Sequence, residues 1–204
     1  MIVIIDYGMG NLGSIANMFR KIGAESVITS DPLIIGTAKK LILPGVGAFD
    51  SGMANLWQRN LINVLNKRVL LDNIPILGLC LGMQLLTQKS QEGKSPGLGW
   101  IEAETVKFGF NTKETGLKIP HMGWNNIQVC REHPLFAGLD KDSRFYHVHS
   151  YHVSCSEPDV IARTSYGYSF VTAIARGNIL GVQFHPEKSH KFGVRLLKNF
   201  VEFN

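Results

Sequence analysis

The chain has 204 residues, 45% of them hydrophobic and 18% charged, and a formal net charge of +5 at pH 7. This composition is typical of a globular protein with a sizeable core, and we expect a single domain over 1–204. No apolar run reaches the ~20 residues of a membrane-spanning helix, and no secretory signal pattern opens the chain, so we expect no membrane association. The positive charges are dispersed without aromatic interleaving, which argues against a nucleic-acid partner.

Three widely spaced cysteines, Cys80, Cys130 and Cys155, make an odd number in a chain that is large enough to fold without disulfides. Such a set predicts free thiols in a reducing compartment. We therefore expect a cytoplasmic protein.

Short apolar runs alternate with helical periodicity through the first half of the chain. The predicted strands are 2–6, 26–29, 40–44 and 75–79, and the predicted helices are 11–22, 51–68 and one that begins near residue 80. Continuous apolar strands separated by helices predict an α/β fold with a parallel sheet covered on both faces. In the second half, strand-like segments at 125–130, 144–154, 169–175 and 178–184 precede a helix at about 189–202.

The motif Gly8-x-Gly10-x-x-Gly13 lies between the first strand and the first helix, and Asp31 follows the second strand. This spacing is typical of a dinucleotide-binding turn with its ribose-binding acid. Bulky residues flank the turn, however, and the second half lacks a repeated βαβ unit. We therefore favour a tight glycine turn in which Asn11 caps the helix, and keep dinucleotide binding as a distant alternative.

A histidine-rich strand reads FYHVHSYH over 145–152. His147 and His149 are two residues apart, which places them on one face of a strand, and His152 is near; this pattern is compatible with the start of a metal site. Because no thiol or carboxylate accompanies them at a recognised ligand spacing, we expect a structural or substrate-lining strand and predict no metal and no cofactor.

The segment Gly78-Leu79-Cys80-Leu81-Gly82 ends a predicted strand and opens a helix. Glycines on both sides of a cysteine allow the sharp turn of a nucleophile elbow. The helix N-terminus favours a thiolate, and the N–H of Leu81 is placed to donate to an oxyanion. The alternative is a small buried cysteine that fills the core.

A base for that nucleophile is found in GVQFHPEKS over 181–189. His185 and Glu187 are two residues apart after a strand, so both side chains project to one side and the carboxylate can orient the imidazole. Together with Cys80 they form a nucleophile, base and orienting acid, which predicts a thiol acyl-transfer enzyme.

The motifs GLCLGMQ and FHPEKS resemble those of the class I (triad) glutamine amidotransferases. The further motifs DYGMGNL, LPGVGAF, PHMGWN and HSY are similar to those of the glutaminase subunits of imidazole glycerol phosphate synthases. The resemblance extends over essentially the whole chain. It implies a flavodoxin-like α/β glutamine amidotransferase domain with a mostly parallel central sheet flanked by helices and additional antiparallel strands in the second half.

The resemblance also implies an activity. Cys80 would attack the side-chain amide of L-glutamine, releasing ammonia and leaving a thioester that water hydrolyses to glutamate, with His185 carrying the proton and Glu187 orienting it. Ammonia would pass to a HisF-like cyclase/synthase subunit in a heterodimer that makes imidazole glycerol phosphate and AICAR in histidine biosynthesis.

The resemblance assigns further roles by position. The oxyanion would be bound by Val46, Gly47 and Leu81, and Asn11 would tether that segment. The substrate would be held by Gln84, Glu92, His149, Ser150 and Tyr151. The partner interface and ammonia passage would be formed by His121, Met122, Gly123, Trp124 and Asn125.

The ammonia acceptor is open at this point. PEKSHKFG and SIANMFRKIG also look like a paralogous group whose members supply ammonia to a sugar amidotransferase in surface-polysaccharide biosynthesis. A non-catalytic interaction module with a buried Cys80 is a further alternative.

Overall fold

The computed structural model of the protein describes residues 1–203. Its strands are β1 (Ile2–Ile5), β2 (Ser26–Thr29), β3 (Lys40–Leu43), β4 (Ile76–Leu79), β5 (Lys89–Ser90), β6 (Ala103–Lys107), β7 (His121–Asn126), β8 (Gln128–Val129), β9 (Arg144–His149), β10 (Tyr151–Cys155), β11 (Val160–Tyr166), β12 (Tyr168–Arg176) and β13 (Ile179–Val182). Its α-helices are α1 (Leu12–Ile22), α2 (Pro32–Ile35), α3 (Phe49–Gln58), α4 (Leu61–Asn66), α5 (Leu81–Leu85), α6 (Thr112–Thr115) and α7 (His190–Glu202).

An eleven-stranded mixed sheet organises the fold, with the path β2-β1-β3-β4-β13-β12-β10-β6-β5 and with β11 and β8 branching from β12. The pairs from β2 through β13 are parallel, whereas β12, β10 and β6 join antiparallel. Strands β7 and β9 form a separate antiparallel ribbon. The α/β fold with a mostly parallel first half and antiparallel strands in the second half is thus confirmed.

Helices cover both faces of the parallel strands because those strands are apolar on both faces. In β1, Val3 and Ile5 pack into one core cluster with residues of α3 and α5. Ile2 and Ile4 point to the other face and pack with residues of α1 and α7. Alternate side chains of one strand therefore pack into two cores, one on each side of the sheet.

The predicted helix over 51–68 is wrong in one respect, because the structure breaks it into α3, α4 and a π-helical turn at Lys67–Leu71. The break lies at Asn60, whose φ of 56° is in the left-handed region, where asparagine is more readily accommodated than most residues. The short strands β5 and β6 and the longer β11 had not been predicted. Within residues 1–203, no helix is both long and apolar enough to cross a bilayer.

Helix α7 packs unusually closely on the turn that precedes it. A Cβ placed on Gly193 would lie 1.8 Å from the carbonyl oxygen of Pro186, in the 3-10 turn Pro186–Lys188. That turn follows His185, so the helix fixes the backbone on which the predicted base is carried.

We predict that Gly193→Ala lowers the free energy of unfolding by about 3 kcal/mol or more, since the new methyl group would overlap backbone that cannot rotate away. The matched control is Gly13→Ala on α1, where an added Cβ meets no atom within 4 Å. That change should leave stability unchanged or raise it by up to about 1 kcal/mol. Urea unfolding measures both, and equal effects would contradict the close packing of α7.

Candidate active site

Sheet register brings the two halves of the predicted triad to one edge. Strands β4 and β13 are parallel neighbours, with Leu79 opposite Val182. The N–H of Cys80 donates to the carbonyl of Val182 at 2.8 Å. Because β4 and β13 end at the same edge, Cys80 and His185 both follow the carboxyl ends of adjacent strands, where open α/β sheets place their ligands.

The backbone at Cys80 has φ 53° and ψ −109°, so the sharp turn that the sequence predicts is present. A Cβ on Gly78 would lie 2.7 Å from the carbonyl oxygen of Gly82, and one on Gly82 would lie 1.8 Å from that of Leu43. Glycine is therefore required on both sides of the cysteine. The turn ends β4 and starts α5 directly after the thiol.

His185 and Glu187 form a buried pair. The imidazole Nδ1 lies 2.8 Å from Oε1 of Glu187, and the two side chains are 2% and 4% exposed. The N–H of His185 donates to Tyr146 O at 2.9 Å, which ties this segment to β9. The Nε2 atom of His185 makes no hydrogen bond of normal length within residues 1–203 and is left to interact with the thiol.

Electrostatics at this pair favour an imidazolium. Burial lowers the pKa of His185, but hydrogen bonding and charge interaction with Cys80 and Glu187 outweigh it and raise that pKa to about 10. His185 therefore carries a proton near neutral pH. Around the thiol, Gln183 Nε2 donates to Cys80 Sγ at 3.7 Å, and Val148 O lies 4.0 Å from the same sulfur.

A cavity of about 360 Å³ opens beside the thiol. It is lined by all the residues predicted to bind the oxyanion or the substrate, which are Val46, Gly47, Leu81, Gln84, Glu92, His149, Ser150 and Tyr151. Their individual roles stay predictions. The sequence analysis did not assign roles to Pro120 and Val148, which also line the cavity, or to Gln183, although all three lie inside motifs that it had singled out.

Two of the predicted substrate-binding side chains have structural partners. Gln84 Nε2 donates to Tyr151 O and to Gln183 Oε1, each at 3.1 Å. Glu92 Oε2 accepts from the N–H of Phe49 at 2.8 Å, at the start of α3. Both therefore organise the cavity wall, and Glu92 also fixes the end of the segment that carries Val46.

Among the hydrogen bonds of residues 1–203, none joins the Asn11 side chain to the segment 44–47, so the predicted tether is not one of them. Asn11 Oδ1 accepts from the N–H of Ser14 at 3.2 Å and caps α1. The segment that carries Val46 is held instead by Tyr7, whose hydroxyl donates to Pro44 O at 2.5 Å. Burial and the nearby Cys80 raise the pKa of Tyr7 above its ordinary range, so it stays a neutral donor.

The residues of the dinucleotide alternative have local structural roles. Gly8 and Gly10 have φ of 83° and 97°, as a tight turn requires, and Gly10 packs against Pro44. Asp31 Oδ1 accepts from the N–H of Leu33 at 2.8 Å and caps α2. The turn thus supports the segment beside the cavity.

Exposed and buried side chains alternate along β7, which contains the predicted interface segment. Met122 and Trp124 are 63% and 41% exposed, whereas His121 is buried. Asn125 Nδ2 donates to Ser165 O at 3.0 Å and to His121 Nε2 at 3.3 Å, so this half-buried side chain lies on the same side of β7 as His121. The exposed face is apolar and aromatic, and the buried face contacts the histidines of β9.

Three buried histidines meet where β7 pairs with β9. Burial lowers the pKa of His121 to about 4 and holds those of His147 and His149 well below 6.5, and like charge among the rings adds to the effect for His147 and His149. These rings are therefore neutral near pH 7, unlike His185.

The chain is similar to known proteins along nearly its whole length. Residues 3–203 match the family described as "Glutamine amidotransferase class-I". The chain belongs to the class I glutamine amidotransferase family. A relative from Methanococcus maripaludis named "Imidazole glycerol phosphate synthase subunit HisH 2" is 54% identical over 203 residues, 99% of each chain.

A relative of the same name from Pseudomonas aeruginosa is 48% identical to this amidotransferase, and the match covers 99% of each chain. A solved structure described as "Crystal structure of glutamine amidotransferase" superposes with a TM-score of 0.77 at 20% identity, covering 99% of this chain and 98% of the other. At that identity the superposition supports the fold alone.

We predict that Glu187→Gln lowers the pKa of His185 by at least about one pH unit, because a carboxylate that favours the imidazolium is replaced by a neutral amide. The imidazolium should then lose its proton at a lower pH than in the unaltered protein, as followed by histidine ¹³C NMR across a pH titration. Glu157→Gln, at an exposed carboxylate paired with Arg163, is the control. A His185 titration that is identical in both variants would contradict this assignment.

Proposed function

We propose that this protein is a glutaminase subunit that hydrolyses L-glutamine to glutamate and ammonia through a thioester on Cys80. The observation that carries the proposal is the strained turn at Cys80, which lines the cavity, together with the buried pair of His185 and Glu187 that follows the neighbouring strand. Residues 1–204 would act as one glutaminase domain in the cytoplasm, which the free thiols of the three described cysteines support.

The proposed reaction starts from an ion pair between the Cys80 thiolate and the His185 imidazolium. The Cys80 thiolate attacks the amide carbon, and the imidazolium of His185 gives its Nε2 proton to the leaving nitrogen, so that ammonia departs and a glutamyl thioester remains. His185 then takes a proton from the water that attacks the thioester carbon, and cleavage of the C–S bond releases glutamate and restores the Cys80 thiolate beside the imidazolium. Glu187 keeps the ring oriented through both steps.

The oxyanion of each tetrahedral intermediate needs hydrogen-bond donors on the cavity side of the turn. The N–H groups of Leu81 and of Val46 and Gly47 are the candidates, since these residues line the cavity beside Cys80. Gln84, Glu92 and the 149–151 segment line the same space and would hold the amino-acid end of glutamine.

Ammonia must leave without reaching bulk water, where it would be protonated, and this favours a docked partner with a dry passage. The exposed Met122 and Trp124, beside the inward-facing His121 and Asn125, would form the contact with a HisF-like cyclase subunit. The names of the relatives support a partner of this kind, since each is a subunit of an imidazole glycerol phosphate synthase. The favoured products of the complex are imidazole glycerol phosphate and AICAR.

A second candidate acceptor is an activated sugar, with this chain as a paralogue that serves a sugar amidotransferase. The observation that favours considering it is the number in the name HisH 2, which both reported relatives have.

We predict that Cys80→Ser lowers glutamine hydrolysis at least about a thousandfold, measured as glutamate release in the presence of the partner, because the nucleophile is lost. Cys130→Ser, at an exposed free cysteine, is the matched control and should keep full activity. Undiminished turnover by Cys80→Ser would refute the proposed mechanism.

The acceptor is tested by co-purifying the chain with a cyclase subunit from the same organism and supplying glutamine and the imidazole precursor. We expect glutamine-dependent formation of imidazole glycerol phosphate, and glutamine turnover that rises at least about tenfold when the partner binds. Ammonia transfer to a sugar acceptor, with none to the imidazole precursor, would instead identify the paralogous function.

A further inference from the structure

The buried side-chain amide of Gln183 contacts the sulfur of Cys80. Its Nε2 donates to Cys80 Sγ at 3.7 Å, and the residue is 0% exposed. The backbone N–H of Gln183 donates to Thr172 O at 2.8 Å, which fixes the residue directly after β13. Phe184 packs into the core on the other side, whereas Gln183 and His185, before and after it, both meet the thiol. The predicted base and this amide thus reach the same sulfur from one short segment.

Hydrogen bonds fix which end of the Gln183 amide faces the thiol. Gln84 Nε2 lies 3.1 Å from Tyr151 O, and a carbonyl only accepts, so an NH2 group occupies this position. The same NH2 group lies 3.1 Å from the amide of Gln183 and needs an acceptor there, which is Oε1. The NH2 group of Gln183 is therefore the end that faces Cys80 Sγ.

Sulfur is an unusual partner for a buried amide donor. Among the hydrogen bonds of residues 1–203, Cys80 Sγ is the acceptor that Gln183 Nε2 has. Asn199 on α7 shows the more usual arrangement, since its Nδ2 donates to Leu135 O at 3.0 Å and to Ala137 O at 2.8 Å. A neutral thiol is a weak acceptor and would leave the Gln183 donor poorly compensated. A thiolate is negatively charged and would accept from the same donor strongly.

We propose that Gln183 is a further catalytic residue, whose side-chain N–H stabilises the Cys80 thiolate and holds the sulfur in place. A hydrogen bond to the charged form of a group favours that form. This donor opposes the effect of Val148 O, which lies 4.0 Å from the sulfur and can accept only from the neutral thiol. The inference rests on the proposed function, in which this thiolate attacks glutamine.

The hydrogen bond acts at two points of the proposed reaction. Before attack, it increases the share of Cys80 that is present as thiolate, in addition to the effect of the His185 imidazolium. After attack the sulfur is bonded to carbon and neutral, so the hydrogen bond weakens. Once water has added to the thioester, cleavage of the C–S bond restores the negative charge on sulfur, and Gln183 stabilises the leaving thiolate. The amide itself gains and loses no proton in either step.

The test measures how fast iodoacetamide alkylates Cys80 as a function of pH. Labelling at Cys80 is followed by mass spectrometry, because the exposed Cys130 also reacts. Gln183→Met keeps the approximate length of the side chain but has no donor. We expect the midpoint of its pH profile to rise by at least about half a pH unit, which is a loss of about threefold in thiolate below the midpoint. Asn199→Leu, which also removes a buried amide, is the matched control and should keep the midpoint of the unaltered protein.

A readout that leaves Gln183 unaltered covers the case in which Gln183→Met fails to fold. In proton NMR, Cys80→Ala removes the acceptor, so a side-chain NH2 resonance of Gln183 should move upfield while those of Asn199 stay in place. An unchanged Gln183 resonance, an unchanged midpoint in Gln183→Met, or an equal rise in Asn199→Leu would overturn the inference and leave the proposed glutamine hydrolysis standing. A Cys80 thiol that iodoacetamide fails to label at any pH would contradict the proposed function, and this inference with it.

Discussion

The positive φ of Cys80 is the constraint on which the rest of the site depends. A non-glycine residue in a sparsely populated backbone region costs about 1–3 kcal/mol, so it persists only where its surroundings hold it there. Here the N–H of Cys80 is bonded to Val182 O, and its carbonyl accepts from the N–H of Gln84 at 3.2 Å. The register of two buried parallel strands thus fixes the conformation of the nucleophile and, through the same strand β13, the position of its base.

The turn at Cys80 also determines how residues 44–47, which carry two of the proposed oxyanion donors, are packed. A Cβ on Gly45 would lie 2.6 Å from Tyr7 Oη and 2.8 Å from Leu81 Cβ, so the 44–47 backbone rests directly on the start of α5. Val46, next to this contact, is 44% exposed. Because residues 44–47 contact the start of α5 directly, we expect a protein docked over Val46 to act on the proposed oxyanion donors at Val46, Gly47 and Leu81 through a short contact.

The features that could be predicted from the sequence are those that depend on residues close together in the chain. The glycines around Cys80 and the two-residue spacing of His185 and Glu187 report backbone and strand geometry directly, and the structure contains both arrangements. Asn60 was missed because a left-handed residue interrupts a periodicity that otherwise continues. Strand β6 was missed because its pairing with β10 is not signalled by neighbouring residues. His121 could not be joined to His147 and His149, since the pairing of β7 with β9 is set by tertiary packing, and the tether assigned to Asn11 rests on motif position alone.

The pKa of His185 is shifted in the opposite direction from those of the nearby His147 and His149. Hydrogen bonding and charge interaction with Cys80 and Glu187 raise the pKa of His185, whereas burial and repulsion from neighbouring histidines, His185 among them, lower the pKa values of His147 and His149. Neutral rings in this position limit the positive charge that opposes the imidazolium.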